Sequence, residues 1–325
     1  QRLIPFYYGV PASATLLLND GAGAFKDVTQ EQAPGFLKLG LLKDAVAIDY
    51  DNDQDDDLVV CGEWMNIILF ENQAGKFVTK ENFPGLVATK GLWNTLATGD
   101  FNSDGFMDFV AGNHGLNSRL NATPDQPVLM YVNDFDANGS VEQILCQQIG
   151  TQAFPYVLYP DLTKQLPFLK KKYTTYESYK DQSMTDIFGP ERLQKSVVLR
   201  ADNLETQVFL NKAGSEFESV ILPKEAQFTK IYAIHPIDGD KDGILDLIVA
   251  GNHRKIKPEM GIQDGSYGQF LKGRGDGSFV SVEASTSGIY VRGEVRDIKI
   301  IEVDNFKNIF FLRNNDTLKI VKQSK

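Results

Sequence analysis

Residues 238–253, DGDKDGILDLIVAGNH, set the frame in which the rest of the chain reads. Counting from Asp238, oxygen-bearing side chains fall at positions one, three, five and nine: Asp238, Asp240, Asp242 and Asp246. Position six is Gly243, the residue type that turns sharply at positive φ without steric cost. An apolar run, YAIHPI, precedes the loop, and a second, LIVAG, starts directly after its ninth residue. Asp100–His114, DFNSDGFMDFVAGNH, repeats the pattern with one residue fewer after position nine. Asp49–Trp64, DYDNDQDDDLVVCGEW, repeats it again. A further acidic loop, DFDANGSVE at 134–142, follows VLMYVN.

A second unit alternates with the first: a strand, a glycine turn, then a strand that opens on Phe. It occurs as LLLNDGAGAF (16–25), ILFENQAGKF (68–77), VFLNKAGSEF (208–217) and QFLKGRGDGSF (269–279). Joined, the two units make a four-stranded meander, and repeated four-stranded sheets are propeller blades. The expectation is therefore an all-β β-propeller of four-stranded antiparallel blades, about five in this chain, forming a single domain over residues 1–325. The blades are expected at 45–80, 93–150, 150–222 and 231–283, with the hairpin 14–29 sharing a fifth blade with strands from 296–325. In that last stretch EVDNFKN offers only Asp304 as a loop carboxylate. Residues 155–195, rich in Lys, Glu and Gln, break the strand pattern and predict a short helical insertion, with Asp161 and Ser183 as N-caps.

Packed carboxylates repel one another unless a cation sits between them. The oxygen sets are Asp49, Asp51, Asp53 and Asp57; Asp100, Asn102, Asp104 and Asp108; Asp134, Asp136, Asn138 and Glu142; and the 238–246 set above. Position seven, which is Asp55, Phe106, Ser140 or Ile244, would contribute its backbone carbonyl. All are hard oxygen donors without His or Cys, which points to Ca²⁺ rather than Zn²⁺. An EF-hand needs Glu at position twelve and flanking helices; here that position is Val60, Ala111, Leu145 or Val249, and the flanks are strands. Gln54 stands where the other loops have glycine, which predicts a strained turn. The loop at 134–142 is open to another reading, a substitute for a glycine turn.

The formal charge of −10 is a local property. The four nine-residue loops hold 16 acidic residues and one Lys, leaving 27 acidic and 32 basic residues elsewhere. No basic stripe interleaves with aromatics, which argues against nucleic acid as a partner. Cys61 and Cys146 lie in apolar runs and are expected to be buried free thiols. No run approaches the ~20 apolar residues of a membrane span. The chain opens close to strand-like sequence, QRLIPFYYGVPASATLLLND, and is expected to derive from a longer precursor.

These loops and their strands resemble the FG-GAP/VCBS repeats of integrin-α-like propellers. GNHGLNSRL, the QLPFLKKKY insertion and the order of elements are similar to secreted bacterial VCBS proteins of the type associated with ASPIC/UnbV segments. The resemblance implies structural calcium and a secreted or cell-surface location, and it names no ligand. By analogy with propellers, a glycan or protein ligand is expected on the face opposite the calcium loops. The candidates are Trp64, Trp93, Asn113, His114, Asn252 and His253, with Glu63, Asn94, Asn117, Arg119, Arg254 and Tyr267 around them. No nucleophile elbow, zinc helix or phosphate loop is present, so the chain reads as a monomeric binding module and not an enzyme. Two alternatives remain open: a purely structural scaffold domain, and a calcium-dependent polysaccharide lyase using His114 with Arg119 or His253 with Arg254.

Overall fold

A computed structural model describes residues 3–257, 260–303 and 306–322. The fold is all-β, of the propeller class, built from four-stranded antiparallel sheets with a few short helices. The chain divides into two compact units, residues 43–119 with 204–325 and residues 1–42 with 120–203.

The larger unit carries four consecutive sheets, named here blades A to D. Blade A comprises Leu41–Ile48, Asp57–Met65, Ile68–Gln73 and Lys76–Thr79, and Gly91–Leu92 pairs with its second strand. Blade B comprises Thr95–Gly99, Asp108–Gly112, Gln207–Asn211 and Phe217–Ile221. Blade C comprises Ile231–Ile237, Asp246–Gly251, Gln269–Gly273 and Phe279–Val282. Blade D has three strands, Val295–Val303, Phe306–Arg313 and Lys319–Lys322. The first strand of blade C lies against the first strands of both B and D.

Side chains alternate between the two faces of a strand, and in blade B both faces are covered. Phe109, Ala111 and Phe209 join Val59, Leu69 and Trp93 in the core shared with blade A. Val110, Val208 and Leu210 join Ile231, Leu247 and Leu271 in the core shared with blade C. Ala233, Ile248, Val295, Ile309 and Phe311 fill the space between C and D. This two-sided burial is why the central strands read as near-continuous apolar runs.

Two sequence expectations need correction. The strands at 95–112 do not continue into 128–149; they pair with 207–221, so one blade is assembled from both sides of an insertion. That insertion spans 120–203, wider than 155–195, and contains its own sheet in the order Gln152–Pro155, Glu142–Ile149, Val128–Asn133, Val197–Ala201. The driving contact is apolar: Asp108–Gly112 and Gln207–Asn211 are buried throughout, and Phe109 stacks on Phe209 at 4.7 Å and 12°. Second, the hairpin Leu17–Asn19 with Phe25–Asp27 forms a two-stranded sheet of its own and does not join the C-terminal strands. All six of its residues are exposed, so it has no buried face to complete a blade.

The expected helices are present, between Tyr159 and Gln194. Their core, with Leu162, Leu169, Tyr179, Met184 and Phe188, packs on Leu129, Ile144 and Cys146 of the inserted sheet. Ser183 caps Met184–Phe188 in a reciprocal box with Asp186, while Asp161 lies in the first turn of a helix whose N-cap is Leu158. Cys61 and Cys146 are free and buried.

Several polar contacts join blades A and B, among them Asp44 of A accepting from Thr95 Oγ1 and Leu96 N of B, and one is centred on Asn211. The buried Asn211 amide donates to Tyr50 O at 2.7 Å and to Met107 O at 3.1 Å, and its Oδ1 accepts from Gly214 N at 2.8 Å. Asn72, its counterpart in blade A, makes the matching bonds to Asp56 O and from Gly75 N within its own blade. Removing a buried partner costs about 1–3 kcal/mol. Asn211→Ala is expected to lower unfolding free energy in urea by about that amount and Asn72→Ala by less. Equal losses would show that the inter-blade bond adds nothing.

Candidate metal loops and the opposite face

The acidic loops join first to second strands, so within each blade they sit at one end of the sheet. All four share one internal geometry. The position-one carboxylate accepts from the backbone of position six: Gln54, Gly105, Gly139 and Gly243, at 2.8–3.2 Å. The position-five oxygen accepts from position seven: Asp55, Phe106, Ser140 and Ile244, at 2.8–3.0 Å. Positions four and six are left-handed in every loop. Position four is Asn52, Ser103, Ala137 or Lys241, with φ between 59° and 64°; position six has φ between 76° and 89°. The loop at 134–142 follows this pattern fully and is a loop of the same kind, set in the smaller unit.

Position nine has a separate task that its spacing alone does not reveal. Asp57, Asp108 and Asp246 are at most 1 % exposed. Asp108 accepts from Phe101 N at 2.8 Å with one oxygen and from Asn211 N at 2.7 Å with the other. Asp246 does the same with Gly239 N and Gly273 N, at 2.9 and 3.0 Å. Asp57 accepts from Asn72 N at 2.7 Å, with Tyr50 N more distant at 3.4 Å. Each carboxylate thus ties position two of its loop to the end of its blade's third strand.

Three loops bring carboxylates close enough to share a cation. In Asp49/Asp51/Asp53, Asp134/Asp136/Glu142 and Asp238/Asp240/Asp246, one oxygen from each residue lies within 4.8 Å of the others. Asp51 Oδ1, Asp55 Oδ1 and Asp238 Oδ1 are buried without a hydrogen-bond partner. Buried anionic oxygens in that condition are costly unless a cation meets them, so the donor set fits Ca²⁺. In the second loop the Asn102 amide donates to Asp104 Oδ2 at 2.8 Å, relieving part of the repulsion. In the 238–246 loop the Lys272 ammonium bonds Asp240 and lies 3.2 Å from Asp242, which raises the lysine pKa. The third strand of blade C thus supplies that loop with a cation from the chain itself.

Burial pushes the Asp57 and Asp108 carboxyls up to about 6, against the pull of their backbone donors and with the push of neighbouring loop carboxylates. Burial likewise raises Asp55, Glu142 and Asp246.

At the other end of the sheets five of the six ligand candidates are buried, and His253 is half-buried. Trp93 is fully buried in the A/B core and donates from Nε1 to Thr89 O at 2.7 Å. Trp64, 8 % exposed, sits at the irregularity where blade A's second strand meets Gly91–Leu92. Neither offers a surface platform. Asn113 is buried and clamps connections: its Oδ1 accepts from Leu92 N at 3.0 Å and its amide donates to Glu205 O at 3.2 Å. Asn252 is also buried; its amide donates to Ser266 O at 2.6 Å and Gly293 O at 3.0 Å, and its Oδ1 accepts from Ser266 N. His114 is buried, with Nε2 3.0 Å from Ser118 Oγ and 2.9 Å from Gln263 Nε2, and burial drives its pKa well down. His253 is half-buried, edge-on to Tyr232, with Nδ1 3.5 Å from Lys230 Nζ. The two asparagines of the G-N-H repeat therefore clamp neighbouring connections.

Exposed aromatics are present on this side at other positions. Tyr267, in the connection after blade C's second strand, and Tyr290, in the C-to-D linker, are 44 % and 49 % exposed and stack at 4.6 Å and 19°. Tyr290 lacks any repeat or motif in the sequence that could have singled it out.

Repeated acidic-loop blades define the class, and the family comparison agrees in part. The FG-GAP-like repeat family matches residues 49–111, from the first Asp of blade A's loop into blade B's second strand. No curated protein matches the chain. A similar solved structure is a lectin of Agrocybe aegerita, described for specific recognition of non-reducing terminal N-acetylglucosamine. It is 13 % identical and covers 97 % of this chain and 89 % of that one, with a TM-score of 0.21.

Two outcomes follow from the loop geometry. Gln54 holds a left-handed conformation that suits glycine, so Gln54→Gly is expected to stabilise the protein by about 1 kcal/mol in urea unfolding. Gly105→Ala, whose Cβ would meet open space, is expected to cost a similar amount. The second concerns pH. A carboxyl whose folded pKa lies above its unfolded value makes the fold bind more protons, so stability falls as pH rises through the window between the two. For Asp108 that window runs from 3.8 to about 6. In chelator, the melting temperature of Asp108→Asn relative to the parent is expected to improve from pH 4 to pH 7; a constant gap would contradict the burial effect.

Proposed function

We propose that this protein is a calcium-stabilised, non-enzymatic, extracytoplasmic binding module. Its acidic loops hold the blades in register, and its opposite face carries the ligand, a glycan or a protein. The observation that carries the reading is the set of buried, partnerless oxygens on Asp51, Asp55 and Asp238, inside loops whose other oxygens are already arranged by the backbone. The cation would be held by positions one, three and five in the 49–57 loop, and by positions one, three and nine in the 134–142 and 238–246 loops. Its contribution is charge neutralisation. The chain's own residues shape each loop and tie it to the third strand. The burial of His114 weighs against the lyase pair it would form with Arg119, because the histidine is only 4 % exposed.

A bound ion stabilises the fold by RT ln(1 + [L]/Kd), about 2.7 kcal/mol per site at a hundredfold excess. Chelation is expected to lower the melting temperature, and Asp104→Ala and Asp242→Ala each to reduce the shift. Lys272→Met, which removes the internal ammonium, is expected to enlarge it. An unchanged melting temperature in chelator, with loops free of metal by elemental analysis, would overturn the calcium reading.

A further inference from the structure

We propose that Tyr267, Tyr290 and Arg292 form the binding platform for an anionic sugar residue of a polysaccharide; this rests on the binding-module reading and assigns its site and ligand class. The second-to-third connection of blade A is two residues long, 66–67, whereas that of blade C runs from 252 to 268. Connections longer than about 12–15 residues are uncommon in compact domains. This one lies at the end of the blade opposite the acidic loop and carries Tyr267. The C-to-D linker beside it carries Tyr290 and Arg292.

The platform is anchored by its neighbours and faces outward. Ser266 and Gly268 are buried on either side of Tyr267, and Ile289 and Val291 are buried on either side of Tyr290. Val291 N donates to Tyr267 O at 2.7 Å, joining the two segments. Asn252 holds both from beneath, through Ser266 and Gly293. Glu294, buried, accepts from the backbone of Arg254 and Lys255 and pairs with Arg296 at 3.0 Å, anchoring the start of the long loop. The stacked rings are therefore preorganised, and little ordering would be needed on binding.

The exposed chemistry is an aromatic surface joined to a cation. The Arg292 guanidinium lies 5.6 Å from the centre of each ring, and its Nη2 donates to Tyr290 Oη at 2.9 Å. Among the described residues it pairs with no carboxylate, whereas the nearby Arg254 pairs with Asp264 at 3.3 Å. A guanidinium left in this way suits a carboxylate or sulfate in two-point contact. The tyrosine faces suit the C–H face of a pyranose, with polar groups fixing its orientation. A neutral sugar would leave Arg292 unused, and a simple polyanion would leave the rings unused.

The test is affinity electrophoresis of the full chain in calcium, in gels containing hyaluronate, dextran sulfate or neutral dextran. Retardation by hyaluronate or dextran sulfate is expected, the one that retards more identifying carboxylate or sulfate as the anion, with little effect of dextran. Tyr267→Ala/Tyr290→Ala and Arg292→Ala are each expected to weaken it about tenfold or more, while the calcium-dependent melting shift stays as in the parent. Arg292→Ala is a surface change and serves if the tyrosine variant loses that shift. No retardation by any polymer, equal retardation by dextran, or retardation unchanged in the variants but lost in Lys255→Ala/Lys257→Ala would overturn the assignment. Loss of the melting shift in the parent itself would instead count against the calcium reading.

Discussion

Each of blades A, B and C encloses one carboxylate with almost no access to water. Asp57, Asp108 and Asp246 close their acidic loops from within by accepting backbone N–H groups from the loop and from the end of the third strand. Burying a carboxylate is unfavourable by itself, and two backbone donors offset much of that cost. The geometry makes the loop and the third strand interdependent. Displacing one strands a charge, so the glycine turn that follows the third strand is placed by the same residue that shapes the loop.

From that tie the contact between blades follows. In blade B the third strand ends on Asn211, whose backbone is held by Asp108 and whose side chain reaches Tyr50 O of blade A. The next glycine turn brings Gly214 close to Asp51, where a Cβ would lie 3.2 Å from its Cα. Gly277 N of blade C donates to Phe101 O of blade B at 3.2 Å, so the contact recurs one blade along. A cation bound among positions one, three and five would thus act on more than one blade, since the next blade's turn rests on the same loop. At the far end Asn113 and Asn252 tie connections together without any charge. The end with the acidic loops concentrates carboxylates; the other combines these amide hydrogen bonds with the buried Glu294 paired to Arg296.

This division explains what could be read from residues alone. Acidic loops, flanking strands and blade type follow from local spacing, and each appears where the spacing places it. The buried thiols and the Ser183 cap are similarly local. Strand pairing across the insertion is not. Gln207–Asn211 joins Asp108–Gly112 through 94 intervening residues, and nothing within either strand distinguishes that pairing from one with Val128–Asn133. Only the match of two fully buried faces, Phe109 on Phe209, selects it. Trp64 and Trp93 mislead for a related reason. Their positions at strand ends suggest exposure, but Trp93 fills the core between blades A and B, and Trp64 is covered at the irregularity of blade A's second strand.

The repeated G-N-H segments illustrate how a motif can indicate function only indirectly. Recurrence at one repeat position shows that a residue does the same job in two blades, and a job common to two blades is more readily structural than ligand-specific. Asn252, with φ of 79°, bends the chain out of the second strand and uses its side chain to hold the segments on either side. Of the residues it supports, Tyr267 has no counterpart in blade A, where the same connection spans two residues, and Tyr290 lies in the C-to-D linker outside any repeat. Variation of that kind is what a fixed blade frame allows: the repeat sets where a loop begins and ends, and the length between those points is free to carry side chains that folding does not require. In a repeat protein held in this way, recurring residues indicate how the frame is built, and the unique exposed ones on its longest connections indicate where a partner would be met.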